Sequence, residues 1–515
     1  MAESLPAIVL SHFSDFIASQ MGLYFPKERW PDLERGIKSA SRQFGFDSGQ
    51  LCAQWLISSP LTKRQIETLA SHLTVGETYF FREKNTFSAL EEHIFPDLIG
   101  SRRRGQRRLR IWSAGCATGE EPYSIAILLR KLIPDLGDWN ITILGTDINP
   151  SFLRKAADGA YGEWSFRDTP RWVKERCFFQ KESRYEILPE IRKMVTFSYL
   201  NLAEDGYPSL LNNTNGMDLI LCRNVLMYFA PERARQTVRQ FHDALVDGGW
   251  LIASPSEASH ALFSQFTMAS LEEAILYKKD AGAGRPEAYG SRAMEAANVS
   301  PPAPAEAIAG PAAEVFSSGA AEEDAPGREA APATEGAERK FDESQSPLYT
   351  EAFRLYGQGR YEEAVEKLSL RLLDKGDDTN AMALLARLYA NQGKLQEALE
   401  WCEKALAGDR LKPALHFLEG MILQERGAVE DAMASLRRTL YLDQNFTLAH
   451  FALGSLALRQ ERFKESNKHF ENALSSLSAY RPEDVLPDSD GLTAGRLIEI
   501  IGSAKVQGSN AEINA

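Results

Sequence analysis

Two glycines and three acids have the types and the spacing of a nucleoside site. Gly115 and Gly119 follow an apolar run and allow the backbone to approach a ligand closely at the carboxyl edge of a sheet. Glu120 and Glu121 come next in the chain. Asp147 ends a second apolar run, where an acid can accept hydrogen bonds from the ribose hydroxyls of an adenosine-containing cofactor. These residues predict that such a cofactor binds between the two runs.

The two adjacent acids bear on which adenosine cofactor fits. The loop departs from the G-x-G-x-x-G pattern of dinucleotide sites, and carboxylates there would repel a pyrophosphate at the start of a helix. S-adenosylmethionine has an ammonium and a sulfonium group and no phosphate, so Glu120 or Glu121 can pair with its amino group. The acids favour S-adenosylmethionine, while NAD and a purely structural role at the helix start remain alternatives.

Alternating strands and helices are needed to position these residues. Residues 1–75 show helical spacing, as in Phe13, Phe16, Ile17 and Met21, which predicts an all-helical N-terminal domain. Between them and residue 280, five apolar runs alternate with helical segments, which predicts a mostly parallel sheet in an α/β domain at 76–280. The runs lie at 109–113, 141–146, 195–199, 219–222 and 250–254.

The C-terminal half contains an internal repeat. A motif recurs every 34 residues from Gly359 to Glu461, and a small residue precedes it each time, at Ala352, Ala386, Gly420 and Gly454. The period resembles the tetratricopeptide repeat, an all-α array that presents a curved surface to a protein partner. The array is predicted at 347–480, with a structural spacer as the alternative. An Ala/Pro/Glu/Gly-rich linker is predicted to be disordered at 281–346, and a tail follows at 481–515.

Composition excludes several classes of protein. The net charge of −13 argues against nucleic acid as the main partner, because phosphate binding needs a basic face. The five cysteines are scattered without a C-x-x-C spacing, so neither a disulfide framework nor a metal site is predicted. No basic leader is found, and no run reaches the roughly 20 apolar residues of a membrane span. We expect a cytoplasmic protein that does not insert into a membrane.

Three longer motifs occur in a fixed order. They are Thr-Tyr-Phe-Phe-Arg-Glu at 78–83, Thr-Gly-Glu-Glu-Pro-Tyr-Ser-Ile-Ala at 118–126 and Cys-Arg-Asn-Val-Leu-Met-Tyr-Phe at 222–229. Over residues 10–280 the chain resembles the chemotaxis receptor methyltransferases of the CheR type. The resemblance implies a helical N-terminal domain and a Rossmann-like methyltransferase domain with a small antiparallel β subdomain, here near 176–194. It also implies methyl transfer from S-adenosylmethionine to receptor glutamates, which leaves S-adenosylhomocysteine and methyl esters.

The same resemblance assigns roles to nine residues. Those implied to contact the cofactor are Thr78, Arg82, Glu121, Asp147, Asn201, Leu202, Arg223 and Asn224. Arg82 and Tyr228 are implied to face the substrate carboxylate, in the cytoplasmic domain of a methyl-accepting receptor. Taken alone, Tyr228 would be an ordinary core aromatic and Arg82 a surface ion pair. A glutamate is already ionised at neutral pH, so the reaction needs alignment and exclusion of water, with no catalytic His or Cys.

Two positions depart from the family pattern. Gly76 stands where the family usually has an asparagine, so one cofactor hydrogen bond is expected to be missing or to come from the backbone. The family's Gly-His-Ser-Glu stretch is Ser-Pro-Ser-Glu at 254–257, which is expected to change the pocket wall. Two basic groups also stand out. We expect the arginines at 102–110 to form a solvated loop. For the group Lys27, Arg29, Arg35, Lys38 and Arg42, the resemblance implies a surface that faces the receptor.

Other functions remain compatible with the sequence. A non-catalytic adaptor could sense S-adenosylmethionine and act through its repeats, although Arg82, Tyr228 and Asp147 are all present. A methyltransferase acting on RNA or on a small acid is the other alternative, and the acidic total counts against RNA.

Overall fold

The computed structural model describes residues 5–103, 107–204, 206–271, 274–280, 346–357, 360–489 and 491–513. The predicted linker at 281–346 lies outside these residues except for its last position. Met1–Gly284 and Pro347–Ala515 together form one compact unit. Across the described ranges, every helix is too short or too polar to serve as a membrane span.

The N-terminal domain is all-helical, as the spacing predicts. Its helices are α1 (Ala7–Met21), α2 (Trp30–Gln43), α3 (Gly49–Ile57) and α4 (Lys63–Leu73). Phe13 and Ile17 of α1 pack with Leu33 and Ile37 of α2 in one buried cluster. A capping box at Thr62 begins α4, which satisfies backbone donors that the first turn leaves free.

The second domain is the predicted α/β domain. Its elements in chain order are α5 (Lys84–Ala89), α6 (Phe95–Arg103), β1 (Arg108–Ala114), α7 (Glu120–Leu132), β2 (Asn140–Asp147), α8 (Pro150–Asp158), β3 (Ala160–Tyr161), α9 (Arg171–Cys177), β4 (Phe178–Lys181), β5 (Arg184–Ile187), α10 (Pro189–Arg192), β6 (Val195–Tyr199), β7 (Met217–Leu221), α11 (Pro231–Ala244), β8 (Leu245–Ile252), β9 (Thr267–Leu271) and β10 (Ala274–Lys278). Seven strands form a sheet of order β6-β2-β1-β7-β8-β10-β9.

The sheet confirms the Rossmann-like fold class. All five apolar runs named from the sequence are strands, and β6, β2, β1, β7 and β8 are parallel to one another. The sequence did not predict β9 and β10, which extend the sheet in antiparallel fashion. A second sheet of order β3-β5-β4 is the small antiparallel subdomain. The stretch near 176–194 contains its hairpin, and the short strand β3 joins from an earlier part of the chain.

The repeat region is all-helical and paired. It contains α12 (Pro347–Gly357), α13 (Tyr361–Asp374), α14 (Thr379–Asn391), α15 (Leu395–Gly408), α16 (Pro413–Glu425), α17 (Val429–Leu442), α18 (Thr447–Arg459), α19 (Phe463–Leu477) and α20 (Ala494–Ile513). The small residues lie where paired helices touch. A Cβ on Gly420 would be 2.8 Å from Cγ of Leu436, and one on Gly454 would be 2.6 Å from Cδ1 of Phe470.

The array packs against the amino-terminal edge of the large sheet through buried charges. Arg108 and Arg110 begin β1, and their guanidinium groups lie 3.1 and 2.5 Å from Oε2 of Glu425 at the end of α16. Arg110 and Glu425 are only 2% and 4% exposed. The expectation of a solvated arginine loop at 102–110 is therefore wrong for these two residues, because their partner is supplied by the distant repeats.

Candidate functional site

One cavity brings together all nine residues singled out in the sequence. It has a volume of about 360 Å³ and opens at the carboxyl ends of β1, β2, β6 and β7, where open α/β sheets bind ligands. Its walls include Thr78, Arg82, Glu121, Asp147, Asn201, Leu202, Arg223, Asn224 and Tyr228. The N-terminal domain closes one side with residues such as Met21, Tyr24 and Arg29.

The glycine loop is shaped by three residues with positive φ. Gly115, Ala117 and Gly119 have φ angles of 78°, 46° and 93°. A Cβ on Gly115 would collide with the side chain of Val225, so only glycine fits at this crossing of two loops. The backbone N–H of Gly115 donates to the carbonyl of Thr146 at 2.8 Å, which ties the ends of β1 and β2 together.

Asp147 is held by backbone donors at the cavity wall. Its two carboxylate oxygens accept the N–H groups of Ala117 and Asn149, each at 2.9 Å. Burial raises the pKa of Asp147 to about 6, although these backbone hydrogen bonds favour the ionised form. Its side chain lines the cavity, and its role as a ribose acceptor stays a prediction.

The two adjacent acids have different surroundings. Glu120 is 1% exposed, accepts hydrogen bonds from Thr118 Oγ1 and Ser165 Oγ at 2.6 and 3.0 Å, and does not line the cavity. Glu121 does line the cavity, where it accepts from Ser113 Oγ at 2.7 Å. Glu120 is therefore held by hydroxyl groups away from the cavity, whereas the carboxylate of Glu121 reaches the cavity wall.

Arg223 connects three parts of the site from a buried position. Its guanidinium lies 2.9 Å from a carboxylate oxygen of both Glu121 and Glu83, and it donates to the carbonyl of Arg82 at 2.6 Å. Burial lowers the pKa of Arg223, but the two carboxylates outweigh it, so the net shift is upward. Arg223 is thus a permanent cation that fixes the backbone of the motif around Arg82.

Arg82 and Tyr228 reach the cavity from opposite loops. Arg82 lies between Phe81 and Glu83, which have φ of 57° and 62°, and its Nη1 donates to the carbonyl of Glu77 at 2.6 Å. Tyr228 is half-buried at the cavity wall, so it is not an ordinary core aromatic. Its carbonyl accepts the N–H of Tyr24 at 2.7 Å, which ties this loop to the N-terminal domain.

The two asparagines of the site differ in whether their side-chain hydrogen-bonding groups already have partners in the protein. The amide group of Asn201 donates to the carbonyl of Gln20 at 3.1 Å and its Oδ1 accepts the N–H of Ala203 at 3.0 Å. Its side chain is therefore occupied by protein, and it ties α1 to the wall. Asn224 donates to Ser254 Oγ at 3.1 Å, but its buried Oδ1 has no partner among the described residues. A buried acceptor without a donor is a natural contact for a ligand.

Comparison with known proteins decides the family. Residues 76–275 match the model described as CheR methyltransferase, SAM binding domain. The chain is similar to a chemotaxis protein methyltransferase of Listeria innocua, 36% identical over 192 residues, which are 37% of this chain and 69% of the relative. The chain belongs to the CheR methyltransferase family. It is also similar to chemotaxis protein methyltransferase 2 of Vibrio cholerae, 33% identical over 216 residues, 42% of this chain and 73% of that protein.

The repeat region of this CheR-family chain has its own match. Residues 349–414 match a tetratricopeptide-repeat model, which confirms the interpretation of the 34-residue period. Among solved structures, the chain is similar to a thermophilic TPR protein of Thermus thermophilus, with 21% identity and a TM-score of 0.26. That alignment covers 31% of this chain and 80% of the other.

The cavity of this CheR-family chain fits S-adenosylmethionine, the methyl donor. Glu121 offers a carboxylate to a cationic group, Asp147 an acceptor for hydroxyl groups, and Asn224 a buried acceptor that no described residue occupies. The glycine at position 115 keeps the loop backbone close to the cavity.

Glu257 is a site residue that the motifs did not single out. Its carboxylate accepts four backbone N–H groups, from Ser254, Asn224, Val225 and Met227, at 2.7 to 3.2 Å. It therefore fixes the loop that presents Asn224 to the cavity and leads into Tyr228. The departure at 254–257 keeps this acid, and a Ser-x-x-Glu capping box was the signal that could have found it.

Phe152 explains the other departure from the family pattern. A Cβ on Gly76 would lie 2.5 Å from Cζ of the Phe152 ring, which lines the cavity beside it. The aromatic ring fills the space that an asparagine side chain would need. The change at Gly76 therefore alters the shape of the wall besides removing a side-chain donor.

Proposed function

We propose that this protein transfers a methyl group from S-adenosylmethionine to glutamate side chains of methyl-accepting receptors and forms glutamate methyl esters. The observation that carries the proposal is the single cavity in which Arg82 and Tyr228 share walls with Glu121 and Asp147. The two relatives described above are named chemotaxis protein methyltransferases, which supports a receptor substrate. Such receptors present their methylation sites in the cytoplasm, where we place the enzyme.

The cofactor would be held by residues at the end of β2, in the first turn of α7 and in the loop after β7. Asp147 would accept from hydroxyl groups, Glu121 would pair with the ammonium group, and Asn224 Oδ1 would accept a hydrogen bond from a donor. When bound, S-adenosylmethionine supplies an electrophilic methyl group next to a positively charged sulfur. Arg223 would act behind this layer, because its contacts with Glu121 and the carbonyl of Arg82 fix their relative positions.

The substrate carboxylate would be positioned by Arg82 and Tyr228. A glutamate is ionised at neutral pH, so the chain needs no general base to activate it. Arg82 and Tyr228 can hold one carboxylate oxygen and leave the other to attack. The N-terminal domain covers this side of the cavity through Tyr24 and Arg29, which helps to exclude water from the charged groups.

The repeats would bring in a further protein partner. Tetratricopeptide arrays present extended curved surfaces to protein segments. The basic residues at 27–42, which lie in α2 and just before it, would face the receptor. The adaptor alternative assigns all function to these contacts, yet Arg82, Tyr228 and Asp147 line one cavity here, which favours an enzyme.

Titration of the full chain with S-adenosylmethionine and S-adenosylhomocysteine, followed by radiolabelled methyl transfer to a receptor cytoplasmic fragment, tests the proposal. We expect binding of both compounds and a base-labile label on the receptor. Arg82→Ala should lose transfer at least about 100-fold, because carboxylate positioning contributes several kcal/mol. The matched control is Arg171→Ala, an exposed arginine of α9 that does not line the cavity.

Each outcome separates the candidate functions. Cofactor binding without label on any receptor fragment would favour the adaptor, or another substrate if label appears on RNA or a small acid. Label that resists base would contradict ester formation. Absence of cofactor binding would overturn the assignment of the glycine loop.

A further inference from the structure

The inner face of the repeat array is covered by the chain's own C-terminal segment. Among the first helices of the pairs, α12 contacts α14 and α14 contacts α16, which places them on the inner side of the curve. After α19 the chain forms a hairpin at 484–494, described over residues 484–489 and 491–494, which ends where α20 begins. Its two arms are joined by the bridge of Val485 with Thr493 and by the N–H of Leu486, which donates to the carbonyl of Leu492 at 2.9 Å.

Two side chains hold the hairpin in place. Leu486 is 1% exposed and belongs to an apolar cluster formed with residues of α16 to α20. At the tip, a carboxylate oxygen of Asp488 lies 3.1 Å from Nη2 of Arg387 in α14. The hairpin therefore contacts α14 through Asp488, while Leu486 is buried in a cluster to which both the array and α20 contribute.

The segment between α19 and α20 is longer than a simple connection requires. The loops between the other helices of the array are only a few residues long, whereas the chain uses 16 residues between Leu477 and Ala494. The extra length reaches back to the second repeat, two helix pairs before α19. A segment that only capped the last repeat would not need to contact Arg387.

We propose that the inner face of the repeats is a docking site for an acidic peptide segment with an aliphatic residue two positions before the acid, and that the hairpin at 484–494 is its resident occupant. Leu486 and Asp488 supply this pattern: the acid pairs with Arg387, and the aliphatic side chain is buried in the apolar cluster. The ion pair is partly exposed, with side chains 19% and 35% accessible, so it is weak enough to exchange. A partner must still outcompete an occupant tethered at a high effective concentration.

This inference names the chemistry of the repeat partner and does not depend on methyl transfer. Its test uses the full chain and a fluorescent synthetic peptide with the sequence of residues 481–495, followed by anisotropy. The wild-type chain should bind the peptide weakly, because its own hairpin covers the site. Asp488→Lys should bind it at least tenfold more tightly, since the tether loses its ion pair while Arg387 itself is unchanged.

Two further variants and a control define the recognition. Arg387→Glu should not bind the peptide, and Arg387→Glu combined with Asp488→Lys should restore the closed hairpin by exchanging the two charges. Hydrogen exchange of the amides at 485–494 should be faster in Asp488→Lys and slow again in the double variant. Glu397→Lys, a charge reversal at an exposed position of α15, should behave as wild type in both measurements.

Three results would overturn the proposal. The first is an Asp488→Lys chain that binds the peptide no better than wild type while its hairpin amides exchange faster. The second is a hairpin that stays protected in Asp488→Lys, which would make it a permanent cap. The third is equal binding of a peptide in which the acid at 488 is replaced by lysine, because recognition would then not involve Arg387.

Discussion

The carboxylates of the cavity show how similar residues acquire different properties from their surroundings. Glu121 faces the Arg223 guanidinium at 2.9 Å, so its charge has a fixed partner in the protein. Asp147 is held by backbone N–H groups, and its burial raises its pKa to about 6. Asp147 is therefore expected to change its protonation near pH 6.

This difference predicts a pH dependence of cofactor affinity. A raised pKa means that Asp147 takes up a proton as the pH falls through about 6, and the protonated form loses its role as an acceptor. Affinity for S-adenosylmethionine should be constant above pH 7 and fall by roughly tenfold per pH unit below 6. Calorimetric titration between pH 5 and 8 measures it. Asp147→Asn should bind weakly at every pH, and an equal slope in that variant would assign the effect to another group.

Gly76 and Phe152 form a pair whose coupling can be measured. A side chain at position 76 would overlap the Phe152 ring, so Gly76→Asn should lower the free energy of unfolding by about 1–3 kcal/mol. In a chain that also has Phe152→Ala, Gly76→Asn should cost much less stability, because the ring that it would overlap is gone. Urea unfolding of the two single variants and the double variant gives the coupling. Gly100→Asn is the control, since a Cβ there meets no atom of the described residues within 4 Å, and additive costs would contradict the steric account.

At the scale of elements, the loop from Asn224 to Tyr228 depends on a segment more than 25 residues later. Glu257 holds three backbone N–H groups of this loop, and Asn224 adopts a φ of 58° within it. The loop after β8 therefore shapes the loop after β7, and the two together form one wall of the site.

Glu257→Gln tests this dependence. The amide keeps one acceptor oxygen but turns an NH₂ group toward backbone donors, so we expect a loss of about 2–3 kcal/mol in the free energy of unfolding. Affinity for S-adenosylmethionine should fall with it, because Asn224 loses its position. Thermal unfolding and calorimetric titration measure the two effects. Glu232→Gln, an exposed acid of α11, is the control, and unchanged cofactor affinity in Glu257→Gln would contradict the positioning role.

The elements also show what the sequence can and cannot predict. The parallel strands were recognisable because they are short apolar runs buried between helices, as β1 and β7 illustrate. The repeats were recognisable because their period is fixed. The hairpin at 484–494 has neither signal, and its ion pair of Asp488 with Arg387 joins residues 101 positions apart in the chain. Arg108 and Arg110 were also not recognisable as buried residues. A run of arginines indicates a solvated surface, and their partner, Glu425, lies more than 300 residues away in the sequence.

At the scale of the whole molecule, the array and the cavity lie at opposite edges of one sheet. Glu425 meets the amino-terminal end of β1, where Asn140 at the start of β2 and Leu210 before β7 also contact the repeats. The cofactor cavity lies at the carboxyl ends of the same strands. Burial opposes ionisation of Glu425, but Arg110 and Arg108 hold its pKa below the ordinary value, so the contact is ionic at neutral pH.

Removal of the Glu425 charge should destabilise the contact between the repeats and β1 without changing cofactor affinity at the cavity. Glu425→Gln removes the carboxylate that pairs with buried Arg110, and breaking a buried pair costs about 3–5 kcal/mol. We therefore expect calorimetric unfolding to split into two transitions, one for the repeats and one for the methyltransferase domain, while affinity for S-adenosylmethionine changes less than about twofold. Glu461→Gln is the matched control, because its pair with Lys193 is exposed and should contribute little. A single unshifted transition in Glu425→Gln would show that the apolar contacts alone hold the array, and a large loss of cofactor affinity would show that the sheet transmits the change from one edge to the other.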